Sequence, residues 1–207
     1  MKRKLTAFAL AVVLVFTVSL ALANTVEPEI LAAGPLAGST VHATVGEYVE
    51  ALNAFRVTVY ENDRFSAGDV EGLAAGDILL ADGTPCTVKE MSAAPEGEPM
   101  AVTGDGLEIV FTKDGDGYSA HFTDDDRQCM HAVAVLLLSP VEGIVYEDNS
   151  DPDLDAEMKV TEGLEALLAA KAEKEETSIG LDFYATTVTL NENLEITTIH
   201  QDYDVAQ

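Results

Sequence analysis

The chain has 207 residues, of which 37 are Asp or Glu and 11 are Lys or Arg, so its formal net charge at pH 7 is −26. A field of that sign repels phosphate groups and anionic lipids, which argues against nucleic-acid binding and favours cations or basic proteins as partners. The length is sufficient for one domain with a substantial core or for two small lobes.

The N-terminus has the three parts of a secretory signal peptide. Basic residues at positions 2–4 precede the uncharged apolar stretch 5–20 and a small-residue sequence that ends at Ala23. This order predicts export and cleavage after Ala23. A retained anchor is the alternative, because the apolar run approaches the length of a bilayer-spanning helix. Removal of residues 1–23 leaves 8 basic residues against 37 acidic ones, a net charge of −29.

We therefore expect a bacterial protein that is secreted or associated with the cell envelope, in the periplasm if the organism is Gram-negative. No membrane insertion is expected after cleavage. Residues 24–43 are rich in Ala, Gly and Pro and show no sustained period, which is typical of a flexible N-terminal arm. Residues 44–207 are expected to form a single β-rich domain, or two lobes that meet near 149–156.

Most of the region after the arm has the pattern of β-strands. The segment 55–60 alternates and is rich in β-branched and aromatic residues, and Asp82-Gly83 is a strong turn signal for a hairpin. Further hairpins are predicted within 107–122 and 183–200. The continuous apolar run 132–138 predicts a strand buried on both faces, with 143–146 as its neighbour.

One amphipathic helix is predicted over residues 160–175. Four residues form its apolar stripe: Val160, Leu164, Leu167 and Leu168. The predicted fold class is α+β and β-dominated, a mostly antiparallel sheet or sandwich with this one main helix near the C-terminus.

The segment 151–162 has the acidic spacing of an EF-hand calcium loop. Four carboxylates occupy its positions one, three, five and twelve: Asp151, Asp153, Asp155 and Glu162. Position six is Ala156, where the turn favours Gly, and position nine is Lys159. A calcium site is one interpretation. The other is that these acids stabilise the N-terminal end of the predicted helix through its dipole.

Cys86 and Cys129 are the only cysteines. Export permits a disulfide between them, and two separate buried thiols are the alternative. Cys129 and His131 are also residue types that can act as a nucleophile with its base or as two metal ligands. No second ligand pair follows in the sequence, so a hydrogen-bonded structural role is favoured for His131.

The sequence contains no nucleophile elbow, phosphate-binding glycine loop or zinc-protease helix motif. It also contains no Trp, which weakens a carbohydrate-binding interpretation. We expect a non-enzymatic extracellular or envelope module, for binding or structure, whose partner is a protein or an envelope ligand. Two alternatives stay open, namely a secreted hydrolase that uses Asp and Glu pairs and an adhesion-type domain stabilised by calcium.

Overall fold

The computed structural model describes residues 24–29, 36–124, 127–151, 157–176 and 185–202. The predicted signal peptide lies outside these residues. Within them the fold is β-dominated, with two mixed sheets and two α-helices, Ala67–Gly72 (α1) and Leu164–Glu176 (α2). The predicted β-rich α+β class is confirmed at this level. None of the described helices is long and apolar enough to cross a membrane.

The strands are, in chain order, Thr25–Val26 (β1), Thr40–Val49 (β2), Ala54–Asn62 (β3), Arg64–Ser66 (β4), Ile78–Ala81 (β5), Thr84–Ala93 (β6), Pro99–Thr103 (β7), Glu108–Asp114 (β8), Gly117–Phe122 (β9), Met130–Leu138 (β10), Pro140–Asn149 (β11), Lys159–Glu162 (β12), Thr186–Leu190 (β13) and Ile196–Asp202 (β14). The first sheet has the order β1-β5-β6-β7-β8-β9-β4, and the second has the order β10-β3-β2-β13-β14-β11-β12. Neighbouring strands are antiparallel except for the pairs β1–β5 and β11–β14, which are parallel.

Local turn chemistry explains the hairpins. Asp82 and Gly83 connect β5 to β6 with φ values of 52° and 67°. Positive φ at both central residues is the requirement of a type I′ turn, whose twist matches that of the strands, and Asp-Gly satisfies it at low cost. The predicted hairpin at Asp82-Gly83 is therefore confirmed. The hairpins β8–β9 and β13–β14 also lie where the sequence predicted them.

Each sheet has its own cluster of buried apolar side chains. In the first sheet, the fully buried rings of Phe65 and Phe111 meet edge to face, with their centroids 5.6 Å apart. In the second sheet, Tyr146 and Ile199 are buried together with Leu167 of α2, the helix that contacts β11 and β12.

The helix starts later than the sequence predicted. Residues 159–162 form β12, in which Val160 lies opposite Glu147 of β11, and Val160 is exposed. Gly163 follows with a φ of 88°, a value outside the helical range that Gly adopts without a Cβ penalty. The predicted start at Val160 is wrong for this reason, whereas Leu164, Leu167 and Leu168 do pack on the second core.

The predicted N-terminal arm contributes strands at its two ends. Thr25–Val26 pairs with β5 in the first sheet, where Val26 is buried, and β2 begins at Thr40 in the second. The chain crosses between the sheets near Asp63 and again near Cys129. Of the region 149–156, where two lobes were expected to meet, the structure describes Asn149, which ends β11 of the second sheet, and the two residues that follow it.

Candidate functional site at an open sheet edge

The four sheet edges differ in how well they are protected against pairing with another strand. Edge strand β1 has 2 residues, and β4 has 3, including Arg64, whose guanidinium donates to Asp116 at 2.6 Å. Edge strand β12 has 4 residues and carries Lys159 and Glu162. Short length and charged side chains are the usual protections of an exposed edge. Three of the four edges therefore carry such a protection.

Edge strand β10 is neither short nor charged, and its one irregularity, a register shift between Ala132 and Ala134, leaves the segment from Ala134 to Leu138 regular. The strand is 9 residues long, its sequence MHAVAVLLL contains no Asp, Glu, Lys or Arg, and it is the terminal strand of the second sheet. No other described strand pairs with its outer side. In an antiparallel edge strand, alternate residues direct their N–H and C=O groups away from the sheet. The N–H of Met130 donates to Asp82, whereas no described strand pairs with this side of the segment from Ala134 to Leu138.

The C-terminal half of β10 is regular and partly exposed. The register shifts between Ala132 and Ala134, and from Ala134 to Leu138 the strand pairs without interruption with β3. Val135 and Leu137 point to the outer face and are 64% and 52% exposed. Leu138 on the other face is buried, and Leu136 packs against the core of the second sheet.

The run 132–138 was correctly predicted to be a strand, but the prediction that it is buried on both faces is wrong. Its position at the edge explains the exposure, because β10 has a neighbour on one side alone and no described element covers Val135 and Leu137. The predicted neighbour, 143–146, is also wrong. That segment belongs to β11, whose neighbours are β14 and β12.

A buried polar cluster fixes the start of β10 to the first sheet. The fully buried carboxylate of Asp63 lies 2.7 Å from Nδ1 of His131 and accepts a hydrogen bond from the backbone N–H of Asp82 at 2.6 Å. Asp82 in turn accepts from the N–H of Met130 at 3.1 Å. Since the turn Asp82-Gly83 belongs to the first sheet, these contacts connect β10 to it across the chain crossing.

His131 is therefore a hydrogen-bonded residue of this cluster. The hydrogen bond with Asp63 raises the pKa of His131 above its ordinary value, and the negative charges of Asp63 and Glu61 act in the same direction, while burial opposes them. A buried carboxylate beside the imidazole favours its charged form. No local pattern in the sequence indicates this partner, which lies 68 positions away.

The raised pKa of His131 predicts a pH-dependent stability. A folded-state pKa above the unfolded value means that the contribution of His131 is fully present below the unfolded pKa and is lost as pH rises through the folded one. We expect the unfolding free energy of the wild type to fall more steeply than that of His131→Gln as pH rises above the ordinary His pKa of 6.5. Urea unfolding across this range measures both slopes. Equal slopes would contradict a raised pKa for His131.

The two cysteines are free thiols in the structure, Cys129 buried and Cys86 partly exposed. Burial is the main cause that raises the pKa of each thiol, and nearby carboxylates add to it, including Asp82 in both cases. A thiol with a raised pKa is a poor nucleophile at neutral pH. Cys129 is therefore unsuited to act as a nucleophile with His131 in this state, and whether the two thiols pair on oxidation stays a prediction.

Two of the four proposed calcium ligands, Asp153 and Asp155, lie outside the described residues. Asp151 is exposed, and Glu162 lies in β12 opposite Val145 instead of at the start of a helix. The helix-end alternative is weakened too, because β12 separates these acids from α2. Among the described side chains, no group of three or more His, Cys, Asp or Glu has a metal-binding arrangement.

The calcium loop stays a prediction with a direct test. If it binds, millimolar calcium raises the Tm of the chelated protein well beyond the effect of magnesium, which measures charge screening alone. Asp153→Ala and Glu162→Ala would each remove the calcium-specific part. Equal shifts for the two ions would contradict the site.

A second histidine cluster lies on the outer face of the second sheet. Nδ1 of His200 is 3.0 Å from Glu147, and its Nε2 is 3.2 Å from Asp202. Sequence reasoning assigned no carboxylate partner to His200. The spacing of His200 and Asp202 could have indicated their contact, because residues two apart on a strand share one face.

Comparisons with known proteins give no match: no family model, no curated protein and no solved structure is significantly similar to this chain.

Proposed function

We propose that this chain is an exported, non-enzymatic binding module of the cell envelope or the extracellular medium, and that it binds by adding a strand to β10. The observation that carries the proposal is the contrast between β10 and the three protected edges. An extended segment that pairs with a free edge forms main-chain hydrogen bonds, and its alternate side chains provide the specificity.

The outer face of β10 supplies an apolar surface for such side chains. Val135 and Leu137 are separated by one residue, so they project from the same face of the strand and lie next to Thr58 and Arg56 of β3. The backbone of β10 is held in place by the pairing with β3 and, at its start, by the Asp63 cluster. A fixed edge lowers the entropic cost of binding an extended segment.

Export is supported by the order of charged, apolar and small residues in 1–23. The intact mass of the exported protein tests it. The intact mass of the protein recovered from the medium or the periplasm should correspond to a chain that begins at Asn24. Recovery of the uncleaved chain with the membranes would contradict cleavage and support the retained anchor.

Strand addition is tested by selecting displayed random peptides against sparsely immobilised protein. We expect binders whose affinity falls at least about tenfold for the double variant Val135→Lys/Leu137→Lys. The control is Val160→Lys, which places one positive charge at an exposed Val on the opposite edge of the same sheet and should leave binding unchanged.

Backbone dependence separates strand addition from simple apolar adhesion. N-methylation of alternate residues of a selected peptide removes its donors on one side while preserving its sequence and charge. Loss of binding on methylation supports pairing with the edge. Unchanged binding of the methylated peptide, or selected peptides that bind independently of Val135 and Leu137, would overturn the proposal.

A further inference from the structure

We infer that the strand added to β10 is the β10 strand of a second copy of this chain, paired antiparallel about a twofold axis at Leu136. This inference rests on the proposed function, because it requires the β10 edge to be open, and it specifies the occupant. The uninterrupted ladder with β3 runs from Ala134 to Leu138, and Leu136 is its centre. Pairing centred there uses all of the regular half of the strand and leaves the shifted half, before Ala134, outside.

In this register the exposed apolar residues of the two copies lie side by side on one face. Val135 of each copy lies directly opposite Leu137 of the other, and the two Leu136 residues face one another. Directly opposite residues of an antiparallel pair have their Cβ atoms about 4.5–5.5 Å apart, close enough for side-chain contact. The large exposed residues of the paired segment, Val135 and Leu137, would thus each lose part of their water-exposed apolar surface in both copies.

The neighbouring strands extend the same rows of side chains. On the outer face, Thr58 of β3 lies opposite Val135, and Arg56 of β3 lies opposite Leu137. In the dimer, each row of side chains that runs across the strands on the outer face would contain Thr58 and Val135 of one copy, followed by Leu137 and Arg56 of the other. The two Arg56 residues fall in different rows, so they do not oppose each other directly. The aliphatic part of Arg56 can also lie along an apolar surface while its charge stays in water.

The inner face gives a second argument for self-pairing. Leu138 is buried opposite Phe55, and Ala134 lies opposite Val59, both within the core of the second sheet. In the proposed register, Leu138 of one copy is opposite Ala134 of the other. A large residue therefore meets a small one at both ends of the ladder, and the cores of the two second sheets become adjacent across a twofold contact.

Charge sets the expected salt dependence. After removal of residues 1–23 each chain carries 8 basic against 37 acidic residues, a net charge of −29, so two copies repel at long range, although no charged residue lies in the paired segment itself. Salt screens the long-range repulsion and leaves the apolar contact. Dimerisation should therefore strengthen with added salt, whereas the binding of a basic peptide to the same edge should weaken.

The test is sedimentation velocity over a concentration series at low and high salt. We expect a monomer–dimer equilibrium that shifts to the dimer at high salt. Val135→Lys/Leu137→Lys should raise the dimer Kd at least about tenfold, since like charges then lie opposite each other in both rows. Val160→Lys is the control and should leave the Kd unchanged.

Register is tested by the variant Val135→Lys/Leu137→Glu. Only in a register that places position 135 opposite position 137 do the two new charges pair across the axis, so this variant should recover most of the dimer that the double lysine variant loses. Thermal unfolding of all variants confirms that they fold.

A wild type that stays monomeric at high salt, or a Lys/Glu variant as weak as the double lysine variant, would overturn the inference. If the monomer still binds the selected peptides through β10, the proposed function survives without it. If neither self-pairing nor β10-dependent peptide binding occurs, both fail.

Discussion

Replacing Asp63 by Ala is expected to lower the unfolding free energy by about 3 kcal/mol, because the loss of a fully buried acceptor leaves its hydrogen-bond donors unsatisfied, at about 1–3 kcal/mol each. The fully buried carboxylate contacts the imidazole of His131 and the N–H of Asp82, so its removal leaves two partly buried polar groups without that acceptor. The two sheets also lose contacts that connect them where the chain crosses.

Urea unfolding of Asp63→Ala and of Glu71→Ala measures this effect. Glu71 is an exposed carboxylate on α1, and its replacement should change stability by less than about 0.5 kcal/mol. A loss for Asp63→Ala that is no larger than for Glu71→Ala would show that the Asp63 cluster does not stabilise the fold.

The second large effect is expected for Phe111→Ala, with a loss of about 3–5 kcal/mol. Phe111 is fully buried in the core of the first sheet, where its ring meets that of Phe65 edge to face. Truncation removes the ring from its contacts and leaves a cavity that the surrounding strands can fill only in part.

Leu52→Ala provides the control for Phe111→Ala, because Leu52 is a large apolar residue that is 57% exposed. Urea unfolding should show a change below about 0.5 kcal/mol for this variant. Similar losses for the two variants would contradict a tightly packed first core.

Local turn signals predicted the hairpins, whereas the features that depend on the order of the strands in the sheets were not predicted. Asp82-Gly83 encodes its own turn, so the strands on either side followed from the sequence alone. The short length of the apolar run 132–138 favoured a strand over a helix, which its periodicity alone did not decide. Its place at a sheet edge depends on its pairing with β3. Strands β4–β9 of the first sheet separate β3 from β10 in the sequence, so no local pattern predicts this pairing.

The start of α2 shows how a tertiary contact can override a helical pattern. Val160 continues the apolar stripe of the helix in sequence, yet it lies in β12 because β11 offers it a pairing partner and Gly163 adopts a positive φ. The polar cluster at the chain crossing was missed for a related reason. Asp63 and His131 are far apart in sequence, and an acidic chain offers too many carboxylates for any one to be distinguished.

Hydrogen exchange at the amides of β10 tests most directly whether this edge is open. In a dilute sample at low salt, an open edge predicts rapid exchange at alternate residues from Ala134 to Leu138, while the intervening amides, bonded to β3, are protected. Concentrating the wild type should slow the rapid set, and concentrating Val135→Lys/Leu137→Lys should not. Protection of every amide from Ala134 to Leu138 in the most dilute sample would show that the edge is already covered, and would contradict binding by strand addition.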